Sequence, residues 1–143
     1  MGSGQQSAPQ GVPLQIDPAV EAGQLADLFN SLSQAVDDFR LGDNIPPGTT
    51  ADQLARLKDE AQALEDRAHY FTAQAIGATL QAIQQDLAQI KTVTAQARNQ
   101  LGVLNDVSKA IAIATSALSL GTAIAAGNPA SILAASQALV QTL

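Results

Sequence analysis

From Leu25 to Phe39, the apolar residues Leu25, Leu28, Phe29, Leu32, Val36 and Phe39 recur mostly at three- and four-residue steps, with Asp27, Asp37 and Asp38 among the polar residues between them. That spacing places the apolar set on one side of a helix and leaves the polar side to water. Asp17-Pro18 supplies a start: the carboxylate accepts from free N–H groups of the first turn, and proline fits the first helical position. Gly42 supplies a stop. An amphipathic helix over 18–41 is predicted, followed by a loop from Gly42 to Gly48 whose Pro46-Pro47 no helix crosses.

A second start lies at Thr50, where Gln53 three residues on completes a capping box. Leu54, Leu57, Ala61, Leu64, Ala68 and Phe71 then repeat at helical spacing. After a phase shift near Gln74, Ile76, Leu80, Ile83, Leu87, Ile90, Thr94, Ala97, Leu101, Leu104, Ser108 and Ile111 continue the pattern, with no proline before Pro129. This reads as a heptad pattern with a stutter. It predicts one very long helix over 50–126, with Gly77 and Gly102 as the two places for a kink. Gly127-Asn128-Pro129 closes it and opens a short helix over 129–142. The expected fold class is all-α: an elongated helical bundle or coiled coil ending in a helical hairpin.

Length turns this pattern into a functional expectation. The stretch from Thr50 to Gln100 would span ~75 Å as a helix, against ~35 Å for the first helix. The stripe of Leu80, Ile83, Leu87, Ile90, Ala97, Leu101 and Leu104 would then lack a cover within the chain. Such a stripe calls for a second copy or a related helical subunit, so these residues are the expected oligomer interface.

Composition narrows the chemistry. Of 143 residues, 46% are hydrophobic but only 3% aromatic, and cysteine and tryptophan are absent. Ala, Leu, Ile and Val in close-packed helices fit that profile better than an aromatic-lined ligand pocket. Net charge is −6 and the pI about 4.4, which speaks against nucleic acid as a partner. Residues 1–16 are rich in Gly, Ser, Gln and Pro and are read as a flexible tail ahead of a helical domain over 17–143. The N-terminus has neither the basic nor the apolar region of a secretory signal, which leaves a cytoplasmic location or export by a signal-independent route.

Catalysis is not expected. His69 is the single histidine, no nucleophile elbow or phosphate loop is present, and neither a cofactor nor a small-molecule substrate is implied. Glu65 and Asp66 reach its helix face, but a di-iron bundle needs two Glu-x-x-His pairs and two further glutamates; a local ion pair on an exposed face is the plainer reading. Asp37-Asp38 lacks the oxygen-rich loop that calcium requires. The other acidic cluster, Asp59-Glu60 with Glu65-Asp66, is interleaved with Arg56, Lys58 and Arg67 and reads as a solvated, salt-bridged face. No metal site is expected.

The remaining feature is the end of the chain. All 13 Asp and Glu and all 7 Lys and Arg lie before Ala110. Within 110–127, Ile111 and Leu118 lie on one side while Ile113, Leu120 and Ile124 lie nearly opposite, so this helix is apolar all round. Small residues, among them Ala117 and Gly121, recur at three- and four-residue steps and permit close backbone approach. Ile132, Leu133, Leu139 and Val140 continue the apolar set into the last helix. These residues are expected to be buried in the core of an assembly or to contact a membrane. The first 18 or so residues reach the lower end of a bilayer-spanning length. Their five Ile and Leu favour insertion by roughly 0.3–0.6 kcal/mol each, and the Ser, Thr and Gly among them offset a similar total.

An uncharged hairpin carried on long charged helices resembles the α-helical pore-forming toxins. The resemblance covers roughly 50–143 and rests on layout; in those proteins the hairpin usually lies between long helices, whereas here it is last. It implies a membrane-inserting subunit using 110–143. The first expectation remains a non-enzymatic, self-associating helical protein.

Overall fold

The computed structural model describes residues 16–43 and 45–143. The tail expected over 1–16 lies outside these residues except for Ile16, which packs against the core instead of trailing free. Among the described residues the chain is all-α, with α1 (Pro18–Leu41), α2 (Ala51–Tyr70), α3 (Ala73–Ala82), α4 (Leu87–Val103), α5 (Val107–Ala126) and α6 (Pro129–Thr142). Asp17 caps α1 by accepting from the Ala19 N–H at 3.0 Å. At α2, the Thr50 hydroxyl accepts from the Gln53 N–H at 3.1 Å while the Gln53 side chain accepts from the Thr50 N–H at 2.9 Å.

The continuous helix expected over 50–126 is four helices, and the longest helix is α1 at 24 residues. The first break, at Phe71-Thr72, is capped by the Thr72 hydroxyl, which accepts from the Ala75 N–H at 3.2 Å. It turns Phe71 inward, where its ring meets that of Phe29 edge-on with centroids 5.1 Å apart. The second break is a tight turn at Ile83–Asp86, closed by the Asp86 N–H on the Ile83 carbonyl at 2.8 Å. Ile83 and Leu87 are buried on either side of it, so apolar spacing persists through the turn.

The third break lies at Leu104–Asp106. The Asp106 carboxylate accepts from the Lys109 N–H at 3.2 Å and opens α5. Neither Gly77 nor Gly102 breaks a helix: they lie inside α3 and α4. After Asp106 the core face passes to Ala110, Ile113, Ala114 and Ala117, while Ser108 is exposed. Asp106→Ala is therefore expected to cost about 1 kcal/mol. Urea unfolding should show a lower midpoint at unchanged slope.

Folding back in this way lets the helices cover one another. α1 lies along α2 and also meets α3, α4 and α5; α5 meets every other helix, and α6 packs chiefly on α5 with a lesser contact to α4. Burial of each large apolar side chain contributes about 1.5–3 kcal/mol. Polar ties are few: the Ser33 hydroxyl donates to the Ala61 carbonyl at 2.7 Å, joining α1 to α2. The Lys91 ammonium donates to Glu21 at 2.6 Å and to Gln24 at 2.7 Å, joining α4 to α1.

The stripe assigned to a second chain lies within this core. Leu80, Ile83, Leu87, Ile90, Ala97 and Leu101 are between 0% and 3% exposed, and Leu104 packs partly buried against them. The expectation of a bare stripe assumed a straight helix, which the three breaks remove.

Candidate functional site: the uncharged hairpin and its seat

α5 and α6 form a hairpin hinged at Gly127. This residue adopts φ 79°, in the left-handed region, and its N–H donates to the carbonyls of Ala123 and Ile124, both at 3.1 Å. Asn128 then accepts from the Ser131 N–H at 3.2 Å, with Pro129 in the first turn of α6.

The hairpin has an inner and an outer side. Ile113, Ala117, Leu120, Gly121 and Ile124 of α5 and Ile132 and Leu139 of α6 are buried. Gly121 serves a close approach: a Cβ there would lie 2.7 Å from Cε2 of Phe29. Ile111 and Leu118 are half-buried. Leu133 and Val140, assigned by sequence to hairpin packing or membrane contact, face outward at 39% and 46% exposure. Between the helices runs a shallow groove of about 470 Å³, lined by Leu118, Ser119, Thr122, Ala126, Ser131 and Ala135 among others. Its lining residues are all uncharged, with Arg56 Nη2 3.5 Å from Thr115 at its edge.

By length and composition α5 can cross a bilayer: it has 20 residues at a mean hydropathy of 1.5, and 44% of its most apolar window is buried. α6, with 14 residues, is ~21 Å long and falls short of a ~30 Å hydrocarbon core.

The hairpin's seat on α2 contains a group that sequence reasoning misplaced. Glu60, read as part of a solvated salt-bridged face, is only 7% exposed. The Thr115 hydroxyl of α5 donates to its Oε2. Arg56 Nε stands 3.9 Å from the same oxygen, on a side chain that is itself 58% exposed. Oε1 is buried without a hydrogen-bond partner among the described residues, as is Nε of Arg67. Burial pushes the Glu60 carboxyl above the ordinary glutamate range, against the opposing effects of the Thr115 hydrogen bond and the Arg56 charge. The only sequence signal was positional: Glu60 lies three residues after Leu57 and four before Leu64, at the margin of the apolar stripe.

Two other residues of the acidic clusters make local pairs. Asp37 pairs with Arg40 at 2.9 Å, and Asp66 accepts from Gln62 at 3.3 Å. His69 is exposed. Among the described residues no three His, Cys, Asp or Glu side chains converge as metal ligands. A larger cavity, about 720 Å³, opens between α1 and α4 beside Gln34, Asp38, Arg98 and Asn99. Ser31 also lines it, with no histidine or cysteine among the lining residues, and Arg98 is engaged with Asn99 at 3.1 Å. No protein-family model, curated protein or solved structure gives a significant match to the chain.

Proposed function

We propose that this is a non-catalytic helical interaction protein that associates with a second copy of itself through the outer face of the α5–α6 hairpin. The observation that carries this reading is that α5 after Lys109 and the whole of α6 carry no charged side chain on a chain of net charge −6, while Leu133 and Val140 stand exposed on the flank of α6 that adjoins Asp86. Contact between two copies through other faces would desolvate carboxylates or set like charges opposite one another. Through α6 it buries alanine, leucine, valine and hydroxyl groups, and the shallow groove between α5 and α6, on the other flank of α6 from Leu133 and Val140, is lined by small residues that permit close approach of a helix. The association first assigned to the Leu80–Leu104 stripe is thus moved to the hairpin. A related helical subunit with the same uncharged face would satisfy the same chemistry.

Light scattering across a dilution series tests this. The wild type is expected to show a concentration-dependent mass above that of one chain. Leu133→Glu combined with Val140→Glu should return it to one chain with unchanged helical circular dichroism. A wild type of single-chain mass at every concentration would reject the proposal.

A second reading, membrane insertion of the hairpin in the manner of the α-helical pore-forming toxins, is favoured by the length and hydropathy of α5. In it α5 spans and α6 lies in the interfacial layer. Liposome flotation with dye release tests it; absence of both from neutral and anionic vesicles would reject it.

A further inference from the structure

We infer that Glu60, Thr115 and Arg56 form a proton-linked latch: the α5–α6 hairpin docks on α2 more tightly when Glu60 is protonated and opens more readily as the carboxyl ionises. This inference concerns the hairpin's seat and holds whichever partner its outer face takes.

Docking α5 removes Glu60 from water and returns little. One oxygen receives the Thr115 hydroxyl, the other receives nothing among the described residues, and Arg56 stays at 3.9 Å in a largely exposed position. An ionised carboxylate in that seat loses hydration that one hydrogen bond and a screened cation do not restore. A neutral carboxyl loses far less. Opening the hairpin takes Thr115 away and returns Glu60 to solvent, so the ionised form is stabilised by opening.

The surrounding charges do not reverse this balance. α5 carries one ionisable side chain, Lys109 in its first turn, and α6 carries none. Arg67 lies two turns along α2 with its Cγ 3.4 Å from the position a Cβ at Gly121 would take, and it is not paired with Glu60. From α1, Ser33 is committed to the Ala61 carbonyl.

The sign follows from proton linkage. The docked state holds its Glu60 proton to higher pH than the open state, so between the two the docked state binds more protons. Docking therefore strengthens as pH falls and weakens as pH rises through the docked-state value. Acid tightens this latch, which is opposite in sense to an acid-triggered release.

Hydrogen exchange on the full chain at about pH 5 and about pH 7.5, corrected for intrinsic rates, reads the opening directly. Protection of α5 and α6 relative to α1 is expected to be about tenfold higher at the lower pH, the scale of one buried unsatisfied acceptor. Glu60→Gln should abolish the difference and hold the hairpin at its acid level of protection throughout. Thr115→Val should lower protection most at neutral pH, whereas Thr115→Ser, which keeps the hydroxyl, should behave as wild type. Equal relative protection at both pH values in the wild type, or a pH difference that survives in a folded Glu60→Gln, would overturn the latch.

Discussion

Phe29→Ala is expected to lower the free energy of unfolding by about 4 kcal/mol, the largest single-residue loss in the bundle outside buried charge. The ring is fully buried, stands edge-on to Phe71, and occupies the space that Gly121 leaves on α5. Removing it strips packing from α1, from the α2–α3 corner and from α5 together. The reciprocal change is informative. Gly121→Ala gains up to about 1 kcal/mol of helix propensity. It also sets a methyl 2.7 Å from Cε2 and 3.3 Å from Cδ2 of a ring that Phe71 holds in place. Overpacking of that kind costs about 1–3 kcal/mol, so net destabilisation is expected. Phe29→Leu should relieve it, and a double-mutant cycle by urea unfolding should give a coupling above about 0.5 kcal/mol. Additive single effects would show that the two positions do not share the contact.

Ala117→Glu should be more damaging still. Ala117 is fully buried on the inner side of α5, where α5 meets its neighbours and no cation of α5 or α6 lies near. A carboxylate forced into that packed site costs several kcal/mol, on the scale of a broken buried ion pair at about 3–5 kcal/mol. Cooperative unfolding should be lost or its midpoint greatly lowered, with dye-binding apolar surface exposed. Ala112→Glu, on the exposed side of the same helix, should stay within about 0.5 kcal/mol of wild type. Similar losses at both positions would mean that α5 does not present these faces.

The local punctuation of the chain was legible residue by residue. Asp17-Pro18, Thr50 with Gln53, and Gly127-Asn128-Pro129 act on backbone groups within a few positions of themselves, so their effect needs no knowledge of the fold. Apolar spacing likewise marked the buried face of α2 and the burial of Leu80 through Leu101. Spacing says that a face is apolar; it does not say what covers it. A three- or four-residue step survives the tight turn at Ile83–Asp86, which is why four helices read as one. Thr72 and Asp106 become caps only because packing of Phe71 and of Ala110, Ile113 and Ala114 rewards leaving the helix.

The same division holds for the hairpin and its seat. Absence of charge after Lys109 is a property of composition, visible without coordinates. Glu60 beside Lys58 and Asp59 looked solvated, because its neighbours along the chain are. Its burial is imposed by Thr115, 55 residues away. Tertiary contact decided whether that carboxylate would meet water or the back of an apolar helix, since desolvation is set by what arrives in space and not by what adjoins in sequence.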